Sequence, residues 1–434
     1  MSDVLRRWRP TEGAWDRGAA THLLRRTGFG PAPGEVERAL DEGLDATLQR
    51  IFATDAHDQT LYDSIGSQLA RGDIETLQAW WMALILAGGA PLRERVTLFW
   101  HDHFATSHDK VDDVRLMHRQ NELFRQAGLG DFRSLLQDVA KDTAMLVWLD
   151  GNENRRGQPN ENFAREVMEL FALGIGNYTE QDVQEAARGL TGWGTEGRRS
   201  VFRERYHDDG EKHVLGRRGP LGAEDVVAAV LEHPACSRYV ARRLLAEFVA
   251  PEPDASWVEG LAHELVRQEW RIDRSLETLF ASELFFSPRA RRARIAGPVE
   301  LVAISVRALG ARVAPARAAR AAERMGQALF RPPSVKGWDG MRAWINVGTW
   351  PTRHDTLHAL AHGEDAQVDL RSAFGDPRSA ADIPTRVRAT LIPDFEDARF
   401  DAVLAEAASE SNDIDEALAV VTALVLTSPE YSLV

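Results

Sequence analysis

The sequence predicts a mainly α-helical protein: a large multi-helix, bundle-like architecture with one small β-hairpin near residues 200–216. Three observations lead there. Apolar residues recur at i, i+3, i+4 and i+7 through most of the chain, the period of a helix with one buried face. Glycines, prolines and short polar capping residues interrupt that pattern at helix-length spacings. Only the stretch SVFRERYHDDGEKHVLG (200–216) alternates large and polar side chains, around an Asp209-Gly210 turn.

Taken in order, THLLRRTGFGPAPGEVERALDEGLDATLQRIFA (21–53) reads as three short helices, broken at GFGP and EGLD. ETLQAWWMALILAGG is an apolar helix stopped by Gly88 and Gly89, and PLRERVTLFWHDHF starts a new one at Pro91. Further helices fit 112–127, 131–140, 160–173, 180–190, 222–232, 236–249, 254–267, 273–282, 296–309 and 314–328. The C-terminal part adds 355–362, 384–391, 399–408 and 413–427. Long loops fall at 150–160, 191–200 and 331–353, and 363–383 is polar and irregular. We expect one integrated unit over 1–434, with packed subdomains 1–220 and 221–434 as the alternative.

Composition narrows the function classes. A formal charge of −14 argues against a nucleic-acid partner. Cys236 is the sole cysteine, which excludes an intramolecular disulfide and a cysteine-rich zinc site; at a helix start it reads as a buried structural thiol. With 44% hydrophobic and 27% charged residues and no run of about 18 apolar residues, the sequence reads as soluble, with no integral membrane segment. Arg6 and Arg7 are followed by no apolar run, so no signal peptide is visible and a cytoplasmic location is expected. No P-loop, GxGxxG, GxSxG or HExxH motif occurs, which argues against nucleotide kinases, simple Rossmann enzymes, α/β-hydrolases and zincins.

Two stretches concentrate chemistry. In FWHDHFATS (99–107), a helical advance of about 100° per residue sets His103 in the apolar stripe of Leu92, Val96, Phe99 and Trp100 and turns His101 nearly opposite. His101 is therefore expected in solvent, and His103 in the core or at a cavity edge as a general base or metal ligand. His108 and His118 are expected at the surface. In PNENFAREVMELFALG (159–174), Asn160 is a good N-cap and Gly174 a good helix stop. Glu161, Arg165 and Glu169 share the polar face at i, i+4 and i+8, flanked by Asn162 and Glu166. That face reads either as a solvated ladder of ion pairs, each contributing about 0.2–0.5 kcal/mol, or as an acid/base or metal-binding carboxylate set oriented by Arg165.

GNENRRGQPNENFAREVMELFALGIGNYTEQDVQEAARGLTGW (151–193) closely resembles the central block of the bacterial family known as domain of unknown function 1800. HLLRRTGFGP (22–31), FWHDHFATS, HDDGEKHVLG (207–216), RPPSVKGWDGMRAWIN (331–346) and the closing TSPEYSLV are similar to further blocks of it, in the same order. The resemblance implies a sulfatase- or phosphatase-like partner and a family whose members are often secreted. It implies no reaction. It does shift the reading of the 161–169 face away from a plain solvated surface.

Together these observations lead us to expect a hydrolase-like enzyme. Its polar cleft would be built around helix 160–173 and act on a polar or polysaccharide-like substrate. His103, Glu161, Arg165, Glu166 and Glu169 are the catalytic candidates. Trp193, His207, Asp208, Lys212, Lys336, Trp338, Trp344, Asn346 and Arg353 are the substrate-binding candidates, with Trp338 and Trp344 as an aromatic wall or as loop anchors. The cofactor is open; a divalent metal would take His103 and Glu166 as ligands. The alternative function is a non-catalytic helical binding or assembly protein that works with a sulfatase-like partner.

Overall fold

The computed structural model describes residues 3–53, 59–68, 72–364 and 366–434. It is mainly α-helical, as the periodicity predicts, with two small antiparallel two-stranded sheets as its named β elements. No helix among the described residues is long and apolar enough to cross a membrane.

Two apolar cores organise the helices. The first gathers residues from Leu5 to Ile51, from Leu92 to Trp100, and from Phe104 to Ala290. The second is built largely from Ile74–Ile85 and from Ala296 to Val434. Residues 221–290 therefore pack with the N-terminal half. The Pro91–His103 helix runs between the two cores. Leu92, Val96, Phe99 and Trp100 enter the first, and Leu98 enters the second.

That position explains a departure from expectation. A helix wheel assigns the face opposite the apolar stripe to water only when one face alone is covered. Here both faces are covered, and His101 is 1% exposed rather than solvent-facing. His108 and His118, also expected at the surface, are both partly buried.

The β region also differs in detail. Trp193–Glu196 pairs with Arg199–Phe202, and Lys212–Val214 pairs with Arg217–Gly219. Asp209-Gly210 is not a hairpin turn but lies in the connection between the two hairpins. The second hairpin turns at Leu215 and Gly216, both at positive φ. Asp208 directs the intervening segment, accepting a hydrogen bond from the Gly210 N–H at 2.9 Å.

The helix expected over 160–173 starts regularly at Asn162–Glu166 and continues as a π-helix over Val167–Ala172. Asn160 accepts from the Asn162 N–H at 2.9 Å, and Gly174 (φ 82°) ends the helix as expected. The wide π turn is closed by the Leu173 N–H donating to the Met168 carbonyl at 3.1 Å.

Candidate functional site

Three consecutive residues at the end of the Pro91–His103 helix point three ways. His101 faces the second core, where its Nε2 accepts the Phe330 N–H at 3.1 Å and its ring meets Trp81, Phe330 and Trp338. His103 faces the first core, where its Nε2 donates to the Phe171 carbonyl at 2.9 Å among Phe99, Trp100 and Phe104. Burial pushes both imidazoles down to about 3, so both are neutral near pH 7. The Nδ1 of His103 has no hydrogen-bond partner among the described residues.

Asp102, between them, faces a cavity of about 270 Å³. The Pro91–His103 helix supplies Arg95, Phe99 and Asp102 to its wall, and the Pro234–Phe248 helix supplies Arg243 and Glu247. Arg294, Glu300 and the segment Trp338–Met341 with Trp344 complete it. Asp102 accepts the Trp338 N–H at 2.8 Å and a guanidinium N–H of Arg243 at 3.3 Å. Gly337 lets the loop approach this closely. At φ +79° a Cβ on it would lie 2.2 Å from the Asp102 Oδ1 and 2.5 Å from its carbonyl oxygen.

The cavity wall carries three cations, Arg95, Arg243 and Arg294, and four carboxylates, Asp102, Glu247, Glu300 and Asp339. Arg95, almost fully buried, reaches Glu247 and Glu300, each at 2.7 Å. Arg294 also pairs with Glu300, at 2.5 Å. Burial works against the Glu300 charge, but Arg294 and Arg95 outweigh it and hold the carboxyl at about 2. Glu247 follows the same balance: burial raises it, Arg95 and Arg294 lower it, and it ends below the ordinary glutamate value. Asp102 goes the other way. Burial pushes it up to about 6, since Arg243 and the Trp338 N–H compensate only in part and Glu247 adds repulsion. Its side chain remains 28% exposed, so the carboxyl reaches solvent.

The catalytic candidates do not assemble as expected. Arg165 pairs with Glu161 at 2.9 Å and Glu180 at 2.7 Å. Glu169 accepts from the Tyr178 hydroxyl at 3.2 Å. Glu166 is raised by partial burial and then by Glu169, while Lys336 and Arg165 pull it down. The partners of His103 are the Phe171 carbonyl and the nearby Arg243 charge, not this face. None of the five residues lines the cavity. No group of three or more metal-ligating side chains converges among the described residues, so His103 and Glu166 belong to no such cluster.

The substrate-binding candidates divide. Trp338 and Trp344 line the cavity and, 9% and 8% exposed, also anchor their loop. Trp193 meets Phe202 in a tilted contact with centroids 5.5 Å apart and lies under the Lys141 ammonium at 5.3 Å. The Nδ1 of His207 donates to the Thr191 carbonyl at 2.9 Å. Asp208 is held near 2 by the Arg188 guanidinium at 2.8 Å. Lys212 is 1% exposed and donates to the carbonyls of Asp208 and Gly210. Lys336 is exposed at the loop beside Glu166. Asn346 accepts from the N–H groups of Gly348 and Thr349. Arg353 is buried and donates to the Ala296 carbonyl at 2.7 Å. Cys236 is buried as expected, and burial raises its thiol far above the usual range.

Residues 22–433 match the model of the family described as protein of unknown function DUF1800. The chain belongs to the DUF1800 family. Neither a curated protein nor a solved structure matches it. In this DUF1800 protein, two of the family-like blocks meet in space. FWHDHFATS supplies Asp102, and RPPSVKGWDGMRAWIN supplies Gly337, Trp338 and Trp344.

Sequence reasoning passed over Asp102, Arg243, Glu247 and the Arg95–Glu300–Arg294 cluster. Two of them carried a signal: Asp102 is a carboxylate inside an aromatic run (FWHDHF), and Glu300 a glutamate inside the apolar run PVELVAISV. Lone charges at such places are buried and paired more often than they are solvated.

Proposed function

We propose that this protein is a hydrolase-like enzyme whose polar cleft is the Asp102 cavity, acting on a polar, sugar-like ligand. One observation carries the reading: Asp102 and Glu247 share one cavity, and their surroundings push their protonation in opposite directions. Such a divergence separates an acid from an ionised carboxylate. Protonated Asp102 would donate to the leaving oxygen. Glu247 would take a proton from the attacking water, whose hydroxyl completes the cleaved bond. Trp338 and Trp344 offer apolar faces to a ring, and about 270 Å³ suits a ligand of roughly one ring, just below the usual pocket range of ~300–1,000 Å³.

The test is a screen of glycosides and esters with wild type, Asp102→Asn and Glu247→Gln, each checked for folding. Activity that disappears in Asp102→Asn, and that in wild type declines as pH rises through about 6, supports the reading. Activity unchanged in Asp102→Asn removes it.

A second reading rests on the Glu247 contacts. Arg95 holds this carboxylate at 2.7 Å, as a structural pair would. The cavity would then bind without catalysis, and a sulfatase-like partner belongs to this reading. Ligand-induced stabilisation without turnover favours it.

A further inference from the structure

The Thr349–Ala361 helix carries a feature unrelated to the cavity. Its inner face, with Arg353, Leu357, Leu360 and Ala361, is buried. On its outer face His354, His358 and His362 recur at i, i+4 and i+8, and all three are exposed. Their rings stack in sequence, with centroids 6.0 Å apart for the first pair and 4.2 Å for the second.

We propose that His358 and His362 form a surface site for a divalent transition-metal ion of the zinc, nickel or copper class, with water at the remaining positions. Three features support it. First, two imidazoles one helical turn apart on one face are the spacing by which helical motifs chelate zinc. The rings, stacked with centroids 4.2 Å apart and planes 19° from parallel, are near enough that turning them toward a common point sets their ligating nitrogens about 3.4 Å apart, the separation fixed by two metal–nitrogen bonds of about 2.0–2.1 Å at a tetrahedral ion. Second, the Nδ1 of His362 donates to the His358 carbonyl at 3.0 Å. A carbonyl can only accept, so the Nδ1 carries the proton and the Nε2 lone pair faces outward. Ligating histidines are commonly oriented in this way. Third, the helix ends at Ala361 with His362 as its C-cap, so the ion would sit at the negative end of the helix dipole.

The donor set selects the metal. Imidazole nitrogens suit zinc, copper and nickel, whereas magnesium and calcium require oxygen ligands. His354 lies two turns from His362, about 12 Å along the axis, and cannot join it on one ion. No third protein ligand completes the pair among the described residues. The site is therefore open, with positions that exchange water.

The experiment is calorimetric titration of zinc chloride into the full chain, free of any histidine tag. Wild type is compared with His358→Ala, His362→Ala and His354→Ala, and melting curves are recorded with and without zinc. All three positions are exposed, so the metal-free melts should coincide. Zinc should bind wild type with one site that His358→Ala and His362→Ala each weaken beyond the roughly 10–100-fold cost of losing an outer-shell partner. The same two variants should lose the zinc-induced rise in melting temperature. His354→Ala should keep both. The proposal is overturned if zinc does not bind wild type, if all four proteins titrate alike, or if His354→Ala weakens binding as much as the other two.

Discussion

Replacing Asp102 with asparagine should change how stability responds to pH. The asparagine side-chain oxygen can still accept the Trp338 N–H, which Asp102 takes at 2.8 Å, so the loop contact survives. The ionisation does not. In the folded protein the Asp102 carboxyl sits at about 6 against an ordinary 3.8. The sign follows from linkage. The folded state holds this proton at pH values where the unfolded chain has released it, so its contribution is most favourable below about 3.8. It is lost progressively up to about 6 and stays lost above. A shift of roughly two units at about 1.36 kcal/mol each gives an upper bound of ~3 kcal/mol, and the solvent path to the cleft lowers it. Measured by urea unfolding from pH 4 to 7.5, the stability of Asp102→Asn relative to wild type should therefore rise by about 1–3 kcal/mol, mostly below pH 6.5. Other titrating groups cancel in the difference. A flat difference, or one that falls with pH, would refute the claim that burial dominates at Asp102.

Arg95→Leu should cost about 3–5 kcal/mol, because Glu247 and Glu300 lose the cation they share; urea unfolding at pH 7 measures it. Gly337→Ala should lower the melting temperature through a strained φ and a clash with Asp102, worth about 1–3 kcal/mol. Arg165→Ala should cost less than about 1 kcal/mol, since its pairs with Glu161 and Glu180 are largely exposed. A much larger loss would show that this face does more than solvate. His103→Ala should destabilise by about 2–4 kcal/mol, by leaving the Phe171 carbonyl unpaired and a void among aromatic rings. Denaturant unfolding with near-ultraviolet circular dichroism follows that change.

Much of the fold was legible because its signals are local. Pro91 does open its helix, Gly174 does end its helix, and the periodicity returned most of the helices in order. The candidate site was harder because its parts are distant in sequence: Asp102 meets Arg243 and Trp338, 141 and 236 residues away. Periodicity separated the roles of His101 and His103 but sent His101 to water, since nothing local announces a helix covered on both sides. Glu161, Arg165 and Glu169 were expected to gather at a cleft because their spacing is clear. Spacing fixes the face, and it does not say what lies opposite.

The π turn at Val167–Ala172 has a consequence for sequence length. Two carbonyls near its end are claimed from outside: Leu170 by the Tyr239 hydroxyl and Phe171 by His103. A π turn contains one residue more than a helix of the same rise needs. Deleting a single residue there would restore a regular helix, and its narrower turn would draw the carbonyls at its end back toward i→i−4 partners. The Tyr239 hydroxyl and His103 would then compete with the helix itself for the Leu170 and Phe171 carbonyls. Residue count between Glu166 and Gly174 is therefore constrained even where side-chain identity is not, and a shortened relative would have to change Tyr239 and His103 as well.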